Sequence, residues 1–588
     1  MKITQFLAAL ICFLAININA AAEVRHEVKP KTNAATPALN SARHHSIGSR
    51  NGVVVAEEKL AAEIGAGILA DGGNAIDAAV ATAFALAVTF PRAGNIAGGG
   101  FMMVHLKDQN KTVAIDYREI APLAASRDMY LDDASNVIPD ESTLTHKAAG
   151  VPGTVAGLLY AQEKYGRLSR RNVMAPAIRI ASRGFPMTYF NAAMLEAARA
   201  DLSKNEAAMK EFFRTDGTGY EPGDIIRRQD LAKTLQQISR HGRDGFYKGA
   251  IAEQIAEEME RHGGLITLED LKSYEAKLRT PVEGTYRGRK IVSMPPPSSG
   301  GIHLIQMLNM LEVLLPQDLP IDSATSRHII AEVMRSAFVD RSEHLGDADF
   351  VSVPKGGLTS KQYAEDLSED ISVQTARSSK TVKPGLPAYP DESPETTQIT
   401  VIDKEGNMVS NTYTLNLSYG SGIIVPGTGI LLNNEMDDFA AAPGVANSYG
   451  LIGNSKNAIE PDKRPLSSMT PAFVFNNDGT MIALGAPGGA RIISSVLQTI
   501  VNVIDGEMSI AHAVDAPRIH HQWQPDILGY EPGISSDTLS LLEAKGYSIE
   551  PLEWFARPQI AEWRDGWIYS YSDTRIPGGG ACTPDTPC

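Results

Sequence analysis

Apolar residues recur along this chain in two rhythms. From Glu57 to Leu69 the spacing of Leu60, Ile64 and Ile68 puts them on one helical face, and Asp71-Gly72-Gly73-Asn74 ends the element. A second, Ala-rich helix is predicted from about Ala75 to Val88, and its small side chains favour close, buried packing of the pair. Helical spacing dominates from about Val151 to Leu271, as in the run from Ile251 to Met259. Another helix is predicted after the Pro-rich turn from Met294 to Gly301.

Past residue 395 the rhythm changes to alternation. Gln398–Asp403 and Met408–Thr414 flank the turn Lys404-Glu405-Gly406-Asn407 and predict a hairpin. Ala472–Phe475 and Met481–Leu484 predict another around Asn477-Asp478-Gly479. A helix from Arg491 to Ile504 follows Gly488-Gly489, and one more, capped at Ser536, ends at Gly546. Helices first, strands later and helices flanking them predict a layered α/β architecture without internal repeats.

Three stretches lie outside this pattern. Residues 1–22 have a short basic start, an apolar core from Phe6 to Ile18 and an A-x-A signal at Ala20-Ala21-Ala22. They read as a secretory signal peptide, too short in its apolar part to span a bilayer. Residues 23–49 read as a flexible polar lead-in. Ser368 to Glu395, with Pro384, Pro387, Pro390 and Pro394, reads as a surface linker or processing segment. The expected product is therefore exported, to a periplasm. A net charge of −15 argues against nucleic acid or an anionic membrane as the main partner. Cys582 and Cys588 are left once the leader, with Cys12, is removed; they can pair as a small terminal loop but do not staple the fold.

The junction Glu395-Thr396-Thr397 holds the strongest chemical candidate. A chain cut before Thr396 would start with a hydroxyl nucleophile whose own α-amine can act as its base. A Thr-Thr pair also simply suits the opening of a strand, so the junction alone does not decide. No G-x-S-x-G, H-E-x-x-H or Walker A motif is present. Adjacent His520-His521 suits packing better than a metal, and Gly98-Gly99-Gly100 suits a tight packed turn better than a dinucleotide fingerprint.

Downstream of the Thr pair stand Thr412-Tyr413-Thr414-Leu415-Asn416, Gly429 to Phe439 with Asn434-Glu435-Met436-Asp437-Asp438, Arg464 to Pro471, and Gly485-Ala486-Pro487-Gly488-Gly489-Ala490-Arg491. These motifs closely resemble the small subunit of γ-glutamyltranspeptidases. Asp71 to Ala79, Asp116-Tyr117-Arg118-Glu119, the Pro-Ser-Gly turn and Asp340 to Asp347 resemble the large subunit. The resemblance runs from about Val53 to the Gly578-Gly579-Gly580 region, leaving out the leader, the lead-in and the Cys-containing tail.

The resemblance implies an α+β fold, the four-layer αββα sandwich of N-terminal-nucleophile hydrolases, autocleaved into two intertwined subunits at residues 50–395 and 396–588. It implies a cleavage site at Glu395-Thr396. Thr396 would be the nucleophile toward the γ-glutamyl amide of glutathione and related donors, Thr414 its orienting hydroxyl, and Gly488 and Gly489 the oxyanion donors. Arg118, Ser467 and Ser468 would hold the donor α-carboxylate, and Asn416, Glu435 and Asp438 the α-ammonium. Tyr449, in the loop from Pro443 to Asp462, would close the site. The partners implied are small molecules (glutathione, γ-glutamyl compounds and amino-acid or peptide acceptors) and the chain's own two halves. No cofactor or metal is implied. Two rival readings remain: a related acylase on β-lactam side chains or other γ-glutamyl amides, and a non-catalytic exported binding protein that keeps the fold but not the cleavage.

Overall fold

The structure is a computed structural model that describes residues 45–383, 396–442, 455–552, 555–575, 577–586 and 588. The expected signal peptide, nearly all of the expected lead-in, Glu395 and Tyr449 lie outside these residues. Two seven-stranded sheets, antiparallel throughout, form the centre. In chain order their strands are β1 Ile47–Ser49, β2 Gly52–Ala56, β3 Gly99–Leu106, β4 Lys111–Asp116, β5 Lys277–Arg279, β6 Val282–Tyr286 and β7 Arg289–Ser293. There follow β8 Thr397–Asp403, β9 Met408–Thr414, β10 Ala472–Phe475, β11 Met481–Gly485, β12 Gln559–Arg564, β13 Trp567–Ser572 and β14 Gly580–Cys582. The first sheet runs β14-β2-β8-β9-β3-β4-β5 and the second β1-β13-β12-β11-β10-β7-β6.

Seven of the helices bear on the site and its surroundings: α1 Lys59–Ala70, α2 Ala75–Thr89, α3 Thr154–Tyr165, α4 Ala250–His262, α5 Gly300–Leu314, α6 Ala324–His344 and α7 Arg491–Ile504. Helices α1 to α3 cover the outer face of the first sheet, while α5 and α7 cover that of the second. The result is helix, sheet, sheet, helix, a four-layer arrangement like that of the N-terminal-nucleophile hydrolases.

Strand alternation builds the layers. On β2, Val54 and Ala56 join the core beneath α1 and α2, while Val53 and Val55 join the core between the sheets. Met102 and Val104 against Phe101 and Met103 on β3 divide in the same way. Because both faces are buried, the strands look almost continuously apolar, and only parity shows which side each residue serves. On β8, Ile399 and Val401 face the helices, whereas Ile402 faces the second sheet.

Gln398 and Thr400 share that inward parity, as do Ser410 and Thr412 on β9. The Gln398 amide donates to Thr400 Oγ1 at 3.1 Å and Ser410 Oγ at 3.0 Å, and Thr412 Oγ1 donates to Gln398 Oε1 at 2.6 Å. Thr400 and Ser410 in turn donate to the carbonyls of Gln559 and Leu484 on the second sheet, at 2.9 and 2.8 Å. Between the sheets, then, runs a hydrogen-bonded polar stripe that locks their relative position.

Most predicted elements stand within a residue or two of their expected bounds, and α7 matches end to end. Four expectations need correction. The linker does not start at Ser368: Ile371 and Val382 are buried, Arg377 pairs with Glu332 at 2.6 Å, and the Ser379 carbonyl accepts from Trp523 Nε1 at 3.0 Å. The lead-in ends in an edge strand, because Ile47–Ser49 pairs with β13. The cysteine tail belongs to the fold, because Cys582 pairs with Val54 at the edge of the first sheet and is disulfide-bonded to Cys588. The final helix is capped by Ser535, one residue earlier than expected.

Gly98-Gly99-Gly100 is the packed turn the sequence suggested. A Cβ on Gly98 would stand 1.9 Å from the Thr414 carbonyl oxygen, and one on Gly99 would stand 2.4 Å from Glu119 Oε2. Gly98→Ala is therefore expected to destabilise the fold by about 1–3 kcal/mol, the usual range for overpacking. The midpoint of urea unfolding measures this.

Candidate active site

Thr396 directly precedes β8, and the register Thr397↔Tyr413 continues to set Thr396 opposite Thr414. Side chains so placed in an antiparallel pair lie about 4.5–5.5 Å apart at Cβ. Parity sends the two threonines of the pair in opposite directions. Thr396 shares the inward face of Gln398, while Thr397 faces the helix layer. A single pocket is lined by Thr396, Thr414, Asn416, Arg118, Glu435, Asp438, Ser467, Ser468 and Gly489, together with Arg341, Met469, Ala490 and Ile492. All the sequence-predicted site residues that are described meet here, with Gly488 adjacent to Gly489.

Each wall has a local cause. Arg118 follows β4; its backbone N–H donates to Asp116 Oδ1 at 3.0 Å, and its carbonyl accepts from Tyr274 Oη at 2.8 Å. Glu435 and Asp438 form a short turn, Glu435–Asp438. Asn433 Oδ1 accepts from the Glu435 N–H at 2.9 Å and from the Gly150 N–H at 2.9 Å, fixing that turn to the large N-terminal part of the chain. Asp437 turns away and accepts from Ser142 Oγ at 2.7 Å, a structural role. Ser467 is held by the Pro-Ser-Gly turn, with Ser299 Oγ donating to its carbonyl at 2.8 Å.

Backbone conformation at the site is special in two places. Asn416 has φ 76°, where non-glycine residues are uncommon and Asn is better tolerated than most. Its N–H donates to Thr414 Oγ1 at 2.9 Å, and its amide donates to the Asn434 carbonyl at 3.0 Å, leaving Oδ1 buried without a hydrogen-bond donor among the described residues. Gly488 and Gly489 have φ 130° and 57° in the connection from β11 to α7. A Cβ on Gly488 would also meet Ala556 at 2.8 Å, so this turn requires glycine twice over.

Charge is concentrated and dry. Arg118 is fully buried and its guanidinium donates to Glu435 and Asp438, with Glu119 Oε2 at 3.8 Å. Burial acts against its charge, but Glu435, Asp438 and Glu119 outweigh this and raise its pKa. Burial, opposed by Arg118, drives the Glu435 carboxyl well above its ordinary range and raises Asp438 as well. It pushes Glu119 up to about 7. Three carboxyls around one guanidinium cannot all ionise cheaply out of water.

Sequence reasoning assigned no role to Arg341 and Glu119. Arg341 donates to Ser299 Oγ at 2.9 Å and to Ser468 Oγ at 3.1 Å, adding a second cation to the pocket wall. It lies inside the motif Asp340 to Asp347, but helical sequence gives no sign that its side chain crosses to Ser468. His520 and His521 are buried packing residues, with His520 bonded to Ser494 and Gln522 at 2.7 Å each. A larger cavity of about 420 Å³ lies between α6 and α7, lined by Arg327, Asn502 and Asp515 among others, and contains none of the site residues.

The profile of the family described as Gamma-glutamyltranspeptidase matches residues 61–583. This chain belongs to the γ-glutamyltranspeptidase family. Membership also places it among the N-terminal-nucleophile hydrolases, and the match takes in the tail up to Thr583. The chain is 48% identical over 532 residues to the glutathione hydrolase proenzyme of Escherichia coli (strain K12), covering 90% of this chain and 91% of that one. It is 38% identical over 509 residues to the acylase ACY 1 proenzyme of Pseudomonas sp. (strain V22), covering 85% and 88%. Among solved structures, Helicobacter pylori γ-glutamyltranspeptidase is 48% identical with a TM-score of 0.55, over 56% of this chain and 93% of that one. A cephalosporin acylase from Bacillus halodurans is 28% identical with a TM-score of 0.82, over 92% and 97%. As a member of the γ-glutamyltranspeptidase family the chain is an enzyme, which removes the reading of a non-catalytic binding protein.

The raised carboxyl of Glu119 has a consequence for stability. A proton held more tightly in the folded than in the unfolded chain stabilises the fold at low pH. That contribution falls as pH rises from the ordinary glutamate range through about 7. Glu119→Gln keeps the shape and removes the titration. Its urea midpoint should therefore change less than the wild type's between about pH 5 and about pH 8.

Proposed function

We propose that the chain is an autoprocessing γ-glutamyl transferase and glutathione hydrolase whose nucleophile is Thr396. The observation carrying this reading is the convergence of Thr396, opposite Thr414, with Arg118, Asn416, Glu435, Asp438, Ser467 and Ser468 in one pocket. In the precursor, the Thr396 hydroxyl attacks the Glu395 carbonyl. The acyl group shifts from nitrogen to oxygen, and water then releases the two subunits. The freed α-amine of Thr396 serves as base for the hydroxyl, and Thr414 orients that hydroxyl.

The mature Thr396 attacks the γ-carbonyl of a donor such as glutathione, forming a γ-glutamyl ester. The amides of Gly488 and Gly489, turned by their positive φ at the head of α7, stabilise the oxyanion. An amino acid, a peptide or water then takes the acyl group. The leader sends the precursor to the periplasm. The name of the bacterial relatives, glutathione hydrolase proenzyme, supports both the processing and the donor class.

Electrostatics favour a donor with an amino-acid head over a glutaryl one. In the free site Arg118 is satisfied by Glu435 and Asp438. A donor's α-carboxylate takes over the guanidinium while its α-ammonium takes over the two acids and the bare Asn416 Oδ1, so every buried charge keeps a partner. A glutaryl group offers the carboxylate alone and strands the acids, and an unpaired buried charge costs about 3–5 kcal/mol. The family also contains acylases, so this comparison decides between the two readings.

Thr396→Ala is expected to stay a single band on a denaturing gel and to show no turnover. The wild type should release a C-terminal fragment of about 20 kDa, its share of a 63.2 kDa chain. Amino-terminal sequencing of that fragment should read Thr-Thr-Gln-Ile. A second measurement compares kcat/KM for a γ-glutamyl anilide and its glutaryl counterpart. The glutaryl compound should be at least about 100-fold poorer, the lower bound of the stranded-charge penalty. Equal values would favour the acylase.

A further inference from the structure

We propose that His146, Glu258 and His262 form a binding site for a zinc-class divalent transition metal, outside the active site. Glu258 and His262 lie one turn apart on the same face of α4, and His146 reaches them from a segment 112 residues earlier. One carboxylate oxygen, Glu258 Oε1, is 3.0 Å from His146 Nε2 and 3.6 Å from His262 Nε2, and all three ligand atoms lie within 4.8 Å of one another. Ligand atoms of a tetrahedral zinc with bonds of about 2.0–2.1 Å stand roughly 3.3 Å apart. Two edges of the triangle already match, and the third closes when the half-exposed His262 side chain turns out of its stack on His146.

The two imidazoles stack, with centroids 4.7 Å apart and planes 13° from parallel. A ligand nitrogen binds in the plane of its ring, so His262 has to leave the stack for both Nε2 atoms to reach one ion. Arg261 Nη1 holds the other carboxylate oxygen, Glu258 Oε2, at 3.4 Å, which orients Oε1 toward the histidines. Two imidazoles and one carboxylate suit zinc-class ions over magnesium or calcium, which prefer all-oxygen sets. Exposure of His262 leaves a fourth position for water.

The location gives the site a mechanical role. Just before His146, Ser142 donates to Asp437 and the Thr143 carbonyl accepts from Asn434 Nδ2 at 2.9 Å; just after it, the Gly150 N–H donates to Asn433. A metal here would fasten the end of α4 to the segment that braces the acidic turn of the pocket.

The test is titration of the mature, tag-free protein with CoCl₂ and ZnCl₂. One equivalent of Co²⁺ should give the visible d–d bands of a low-coordinate nitrogen/oxygen site. Zn²⁺ should displace it and raise Tm, and MgCl₂ should do neither. His262→Ala and His146→Ala should each weaken Zn²⁺ binding by more than the ~10–100-fold that loss of an outer-shell partner brings. Glu258→Gln provides a third variant of nearly unchanged shape, should His146→Ala unfold. Metal-free turnover of His262→Ala should equal the wild type's. Absence of a stoichiometric Co²⁺ spectrum, or binding of equal strength in the His262 and Glu258 variants, overturns the proposal.

Discussion

The site depends first on the pairing of β8 with β9. That register, fixed by Thr397↔Tyr413 and carried along six residue pairs, sets Thr396 opposite Thr414 and turns both toward the second sheet. A slip of one residue would send Thr396 into the helix layer and bring Thr397 inward. What prevents the slip is the sorting of side chains across the strand. Ile399 and Val401 would exchange places with Gln398 and Thr400, stranding an amide and a hydroxyl among α2's alanines. The polar stripe between the sheets thus holds the position of Thr396, since it makes the alternative register costly.

A second constraint is electrostatic. Arg118, Glu435 and Asp438 are held out of water by walls that the fold builds independently, namely the Asn433 clamp, the Pro-Ser-Gly turn and the backbone bonds around Asp116. Such a cluster contributes little net stability, because desolvation offsets most of the attraction. In the proposed reaction its value lies in exchange: a guanidinium and two acids that satisfy one another can also satisfy a zwitterion with the opposite arrangement. Burial, only partly offset by Arg118, is what keeps the Glu119 and Glu435 carboxyls raised.

Much of this was legible in the sequence, and the reasons differ by element. Helix α7 and both predicted hairpins carry their periods openly, with Gly or Asn at the turns, so local rules suffice. The linker failed because composition was the wrong signal. Between Ile371 and Val382 only a few apolar residues are present, yet Arg377 and Ser379 anchor the segment through polar bonds to α6 and Trp523. The terminal strand was missed because three residues, Gly580-Ala581-Cys582, show no period until β2 supplies their partner. The pocket residues came from a resemblance, and the structure adds the parity that separates Thr396 from Thr397, which spacing alone could not.

Arg341 and the His146–Glu258–His262 cluster went unseen for a common reason. Each depends on a contact between elements far apart in the chain, where neither partner sits in a motif for that contact. Arg341 reaches Ser468 from a helix 127 residues earlier, and its own neighbours in sequence describe only a buried helix face. In α4, Glu258 and His262 at helical spacing are, taken alone, an ordinary i, i+4 pair; the third ligand makes them a constellation. Local pattern fixes where a side chain leaves the backbone, whereas function at both places is decided by what the fold brings to meet it.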